Sequence, residues 1–287
     1  MKKWFAVIGD PIQHSKSPYM HSLWYEQLSI DAAYVPIHVE RDCLEQAIAS
    51  LKLLGASGFN VTIPHKESII PFLDELDPMA QKMGAVNTVV RTEDGRLKGY
   101  NTDGAGFVKS LELAIGDGHR DEPILIIGAG GAARGISFAL ASVGYKNIKI
   151  ANRTVEKAEA IVREMGIGEA ITLEDAQSRL EEFKIFIQTT PAGLHNGEFD
   201  LPFSMDQFPK QAIACDIVYN PIMTPFLQAA EKKDAHIITG LGMFIHQGAI
   251  AFEHWLGVYP PSDVVEQNLM KQLEQRENTH FHLLERN

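Results

Sequence analysis

Residues 124–144, ILIIGAGGAARGISFALASVG, restrict the fold more than any other stretch of the chain. Four apolar residues run into a glycine turn, and the turn opens directly into a helical pattern. An apolar run followed by Gly128-x-Gly130-x-x-Ala133 is the strand–turn–helix opening of a dinucleotide-binding unit. There the first glycine makes the tight turn, the second lets the backbone approach a pyrophosphate, and the small third residue lets helix pack on strand. Free amides at the helix N-terminus then face the phosphates. Gly128, Ala129, Gly130, Gly131 and Ala132 are therefore the candidate phosphate-binding residues. The alternative is a tight strand-to-helix turn that holds no ligand.

The remainder of the chain alternates in the way such a unit requires. WFAVIG (4–9), AAYVPIHV (32–39) and GFNVTI (58–63) have strand character, and amphipathic helical patterns separate them. AVNTVVRTEDGRLKGYNTD (85–103) breaks the rhythm with two alternating runs around Asp94-Gly95, a hairpin signal. After the glycine turn, NIKIANR, IFIQTT and QAIACDIVY supply further strands, with TVEKAEAIVREMG as a crossover helix. The class is α/β with largely parallel sheets. Two domains are expected: residues 1–103, with a mostly parallel mixed sheet and completed by 241–287, and residues 104–240 as a Rossmann unit. A cleft between them would hold the ligands.

The strand Asn147–Ala151 should end beside the adenine ribose, where an NAD site carries an acidic residue. The chain instead reads Asn152-Arg153-Thr154, with Lys157 close behind. A guanidinium fork suits a 2′-phosphate, so the cofactor inferred is NADP; the alternative is a surface arginine beside a helix cap.

The first domain concentrates short polar side chains in four clusters after strands or at turns: HSKSP (14–18), NVTIPHK (60–66), AVNT (85–88) and GYNTD (99–103). Loops at the carboxyl ends of strands converge on one crevice in open α/β sheets, so the clusters suit a small, hydroxylated ligand. Pro64 is expected to end its strand and deliver Lys66 to that crevice. Lys66 and Asp103 are the oppositely charged pair the clusters offer. Oxidation of an alcohol sends a hydride to a nicotinamide and leaves a proton, which a desolvated lysine can accept beside an orienting carboxylate. From composition and spacing alone, two solvated loop charges remain an equal alternative.

Bulk properties narrow the partners. A formal net charge of −11 at pH 7 argues against nucleic acid or an anionic membrane surface. No apolar run approaches a membrane span, and MKKWFAVIGDP reads as a first strand rather than a signal peptide. Two cysteines, Cys43 and Cys215, have no paired or metal-binding spacing and suit a cytoplasmic protein. THFHLLERN at 279–287 reads as a polar tail rather than a metal tract.

Taken in order, GDPIQHSKSP, GFNVTIPHK, GAVNT, GYNTDGAGF, GAGGAAR, NRT, DIVYNPIMTP and GLGMFIHQ resemble the shikimate dehydrogenase family, from Gly9 to about Phe252. The resemblance implies an NADP-dependent enzyme that interconverts 3-dehydroshikimate and shikimate in aromatic biosynthesis. It further implies that Ser15 and Ser17 hold the substrate carboxylate, although both also fit a Ser-Pro helix cap. Thr62, Asn87 and Gln247 would bind ring hydroxyls, Lys66 and Asp103 would sit at the reacting hydroxyl, and Tyr219 would close the carboxylate end. Ile217 and Gly240 would approach the nicotinamide. A half-buried strand tyrosine and a surface glutamine are the plain alternatives for Tyr219 and Gln247. The chain departs from the family pattern at Ser22, at QTTPAGLH (188–195) and at Gly135, without losing a named catalytic group. A quinate/shikimate dehydrogenase with broader substrate and NAD use is the near alternative, and a non-catalytic NADP-binding module the remote one. No metal is expected; a homodimer is the assembly considered.

Overall fold

The computed structural model describes residues 2–191 and 204–284, the side chains at 274 and 276–284 excepted. The chain divides into two compact units. One is built from the chain up to Asp103 together with Gln247–Val265, the other from Gly104–His246 together with the chain from Glu266 onward.

In the first unit the elements run β1 (Lys3–Gly9), α1 (Ser17–Gln27), β2 (Ala32–His38), α2 (Leu44–Leu53), β3 (Gly58–Val61), β4 (Glu75–Leu76), α3 (Pro78–Met83), β5 (Thr88–Arg91) and β6 (Leu97–Tyr100). They form a six-stranded mixed sheet in the order β2-β1-β3-β5-β6-β4. β1 pairs in parallel with β2 and β3, whereas β5 is antiparallel to both β3 and β6. The β5–β6 hairpin turns at Gly95, whose φ of +83° is a conformation that favours glycine. Alternation sorts the side chains: Ala6, Ile8, Phe59 and Val61 pack with Ile48 and Leu51 of α2 in one buried cluster. Phe5 points to the opposite face, where its ring stacks on Trp255 at 4.7 Å.

The second unit continues with α4 (Asp103–Ile115), β7 (Ile124–Ile127), α5 (Gly131–Ser142), β8 (Ile148–Ala151), α6 (Val155–Met165), β9 (Glu169–Ile171), α7 (Leu173–Ser178), β10 (Ile185–Gln188), β11 (Ile213–Asp216), α8 (Pro225–Glu231) and β12 (His236–Ile238); the chain ends in α9 (Gly240–Leu256) and α10 (Asp263–Leu284), each divided between the units. Its strands are parallel and ordered β9-β8-β7-β10-β11-β12. That is the doubly wound dinucleotide-binding order, with the topological switch between β7 and β10. Ile124–Ile127 and Ile185–Gln188 are buried throughout, as the central strands of a sheet covered on both faces must be.

One domain assignment needs correction. The sequence returned the whole of 241–287 to the first domain, but only Gln247–Val265 groups there. The boundary falls inside α9, and the glycines along that helix give the reason. A Cβ on Gly240 would lie 2.5 Å from the carbonyl oxygens of Ile217 and Val218, and one on Gly242 would collide with Ser110 of α4. Six residues later Gly248 is pressed against Met20 of α1, and Trp255 donates to the Val89 carbonyl at 3.0 Å. From Glu266 onward, α10 belongs to the second unit, with Leu269 and Leu273 buried one turn apart.

Candidate active site

Lys66 reaches its position through a turn that starts earlier than the proline suggests. β3 ends at Val61 rather than at Pro64. The Thr62 amide still donates to Ile8 O at 3.0 Å, but the Thr62 carbonyl accepts the amide of His65 at 2.9 Å and closes the turn. The buried His65 ring meets Val39 O at 2.6 Å, and the Val86 amide donates to Lys66 O at 2.7 Å. Both sides of the turn are thus tied to the sheet, which leaves the Lys66 side chain to project from a fixed backbone.

The Lys66 ammonium donates to Asp103 Oδ2 at 2.6 Å. Asn87 Nδ2 donates to the other carboxylate oxygen, Oδ1, at 2.9 Å. Asp103 is the first residue of α4, so its charge also faces the positive end of the helix. The Lys66 and Asp103 side chains are 31% and 20% exposed, sheltered yet open to a small molecule. Asn87, 2% exposed, is fixed by the Thr102 amide, which donates to Asn87 Oδ1 at 2.9 Å. Gln247 Oε1 lies 3.5 Å from Asn87 Nδ2 and completes the set. A charged donor, a carboxylate and two amides therefore converge where an alcohol or carbonyl oxygen could exchange a proton.

The other candidates of the first unit stand nearby in sequence and differ in exposure. Ser15 and Ser17 frame the start of α1: Ser15 Oγ accepts the Ser17 amide at 3.3 Å, while Lys16 is the N-cap and no side chain caps the helix. Ser15 is half-buried and Ser17 buried. Thr62 is half-buried, its methyl under Gly9, where any Cβ would approach within 2.5 Å.

In the second unit the glycine turn has the features that a dinucleotide demands. Gly128 has φ +108°, and a Cβ there would sit 2.7 Å from Thr189 Oγ1, so only glycine fits. Gly130 and Gly131 are exposed with nothing near their missing Cβ positions, which leaves space at the turn. Ala129 and Ala132 are half-buried, and Ala133 is fully buried against the strand. No side chain caps the N-terminus of α5, so its first amides are available to phosphate oxygens. Beyond β8, Asn152 Nδ2 donates to Thr154 O at 2.8 Å and shapes the turn into α6. Thr154 is the N-cap of α6, and Arg153 and Lys157 are exposed beside it. Among the described residues neither cation has an ion-pair partner, a fit to a 2′-phosphate rather than to a bare ribose.

Ile217 and Tyr219 follow β11 in the same unit. Gly240 abuts the Ile217 backbone, and Tyr219 stacks on Phe244 at 4.5 Å. Burial raises the Tyr219 phenol above its ordinary range, so it stays protonated. The structure adds Asp216, which sequence reasoning missed. It is 1% exposed, and burial pushes its carboxyl up to about 6. Its oxygens accept the Val218 amide at 2.9 Å and the Thr224 hydroxyl at 2.7 Å, clipping both ends of the loop that carries Ile217 and Tyr219. An acid at the end of the apolar run AIACD was the available signal. Residues 192–195 of the QTTPAGLH departure lie outside the described residues.

Three family models match in chain order: the shikimate dehydrogenase substrate binding domain over residues 7–89, shikimate / quinate 5-dehydrogenase over 111–196, and the shikimate 5′-dehydrogenase C-terminal domain over 240–270. Shikimate dehydrogenase (NADP(+)) of Lysinibacillus sphaericus is 63% identical over 273 residues, 95% of this chain and 99% of that protein. A shikimate dehydrogenase crystallised with NADP+ superposes with a TM-score of 0.87 at 40% identity, covering 95% of this chain and 96% of that one. The Thermus thermophilus enzyme, solved with NADP(H) and shikimate, gives 0.83 at 36% identity over 92% and 97% of the two chains. Among the described residues no helix is long and apolar enough to cross a membrane.

Proposed function

The chain belongs to the shikimate dehydrogenase family, and from that premise we propose that Lys66 and Asp103 handle the proton of its reaction. That reaction is the reversible, NADP-dependent reduction of 3-dehydroshikimate to shikimate in aromatic biosynthesis. Bound NADP supplies the hydride chemistry, and the chain supplies position, charge and proton. The observation that carries the proposal is the 2.6 Å bond from Lys66 Nζ to Asp103 Oδ2.

In the reducing direction the Lys66 ammonium donates a proton to the ketone oxygen as charge builds there, and solvent restores it. In the oxidising direction the shikimate hydroxyl gives its proton back to the Lys66 amine. Asp103 keeps the lysine oriented throughout, because its second oxygen is held by Asn87. Asn87, Gln247 and Thr62 bind ring hydroxyls, and Ser15 and Ser17 take the carboxylate, with Tyr219 closing that end. Gly128, Ala129, Gly130, Gly131 and Ala132 would hold the phosphates of NADP, Asn152, Arg153, Thr154 and Lys157 its 2′-phosphate, and Ile217 and Gly240 would adjoin its nicotinamide. The proposal includes a homodimer, the commonest closed assembly, and a cytoplasmic location, which the unpaired Cys43 and Cys215 support.

Initial rates with shikimate or quinate crossed against NADP or NAD test the reading. It predicts a strong rate for shikimate with NADP alone. Comparable quinate or NAD rates would move the protein to a broader-specificity enzyme with the same proton chemistry. NADP binding without turnover in any combination would leave only a binding module.

A further inference from the structure

We propose that Tyr34 is a positioning residue for Asp103, acting through a directional chain of buried hydrogen bonds. Tyr34 lies on β2, 6% exposed, with its ring stacked on His21 of α1 at 4.2 Å and 6° between planes. Its hydroxyl reaches across β1 to Asn60 Oδ1 on β3 at 2.7 Å. Asn60 Nδ2 donates to Asn87 O at 3.1 Å and to Thr88 Oγ1 at 3.0 Å.

Chemistry fixes the direction of the first links. A backbone carbonyl can only accept, so the nitrogen of the Asn60 amide must face Asn87 O, and its oxygen must face Tyr34. The Tyr34 hydroxyl is therefore the donor. Thr88 Oγ1 accepts a hydrogen bond from Asn60 Nδ2 and donates one to Asn87 Oδ1 at 3.0 Å. Asn87 Oδ1 accepts from both the Thr88 hydroxyl and the Thr102 amide, and its nitrogen faces Asp103 Oδ1. Asn60 and Thr88 are direct cross-strand partners, so the sheet register sets their alignment. Asn60, Asn87 and Thr88 are all at most 8% exposed, so water cannot replace a lost link cheaply. The chain also gives His21 a function: its face holds the Tyr34 ring in the plane from which the hydroxyl meets Asn60.

The inference rests on the reading of Asp103 as the partner of Lys66 in proton handling. Its test is a double-mutant cycle in the full-length protein, measured as kcat and KM for shikimate oxidation with NADP. Tyr34→Phe keeps the ring and removes the donor. It should lower kcat about five- to tenfold, the loss expected of one neutral hydrogen bond. In an Asn87→Ala background the same substitution should change kcat by less than about twofold, because the chain then ends before Asp103. A purely structural effect of Tyr34 would cost the same factor in both backgrounds and would overturn the proposal, as would wild-type kcat in Tyr34→Phe. If Tyr34→Phe fails to fold, Thr88→Val cuts the chain one link later and carries the same two expectations. Asp103→Asn separates the layers. Slow turnover there with full-rate Tyr34→Phe overturns the positioning alone, and full-rate Asp103→Asn overturns both.

Discussion

His21 should make the first unit lose stability in mild acid, and Phe at that position should remove the loss. The ring is 0% exposed, among the described residues neither nitrogen has a hydrogen-bond partner, and aromatic side chains surround it: Tyr34, Trp24, Trp255, Phe252 and Tyr25. Burial lowers its pKa from 6.5 to about 3. The folded protein thus refuses a proton that the unfolded chain accepts below pH 6.5, so stability is present above that value and drains away as pH falls toward 3. Between pH 7 and pH 5 the unfolded imidazole goes from mostly neutral to almost fully charged, which amounts to about 2 kcal/mol. Other groups titrate in the same window, with His246 lowered to about 4 and Asp216 raised to about 6, so the comparison must be between wild type and His21→Phe. Urea denaturation followed by tryptophan fluorescence suits the purpose, because Trp4, Trp24 and Trp255 all belong to the first unit. The stability of wild type relative to the variant should fall by about 2 kcal/mol from pH 7 to pH 5. An equal loss in both proteins would refute the reasoning.

Two further perturbations address the second unit. Arg153→Ala should weaken NADP by about 1.5–3 kcal/mol and NAD far less, as titration calorimetry with each nucleotide would measure; an unchanged preference would remove Arg153 from the 2′-phosphate site. Gly240→Ala drives a Cβ to 2.5 Å from two backbone oxygens that cannot rotate away. It should cost about 1–3 kcal/mol in thermal or chemical unfolding and weaken NADP binding, whereas wild-type stability would contradict the close approach.

The architecture was legible because its signals are local. The apolar run into Gly128 announces a strand, turn and helix, and Asp94-Gly95 announces a hairpin, each with the φ that the residues favour. Short edge elements escaped: β4 is two residues and β9 three, too short for a period to register. So did the split of α9, because a continuous helical pattern does not reveal which neighbour each half packs against. The site divides along the same line. Lys66 and Asp103 are 37 residues apart, and without family resemblance nothing local joins them. Period-2 alternation puts Tyr34 and Asn60 in strands, but their hydrogen bond crosses a whole intervening strand, which only the sheet order supplies. Asp216 was overlooked for a related reason: a polar residue ending an apolar strand reads as solvated until its amide and hydroxyl donors are seen.

The central claim, that Lys66 moves the proton, is tested most directly by the kcat of Lys66→Ala for shikimate oxidation with NADP. Its folding can be checked by the same fluorescence titration. A loss of at least ~10²–10⁴-fold is expected in a protein of wild-type stability, the range for a removed acid–base group. A kcat close to that of wild type would contradict it and leave the 2.6 Å pair with Asp103 as a structural ion pair alone.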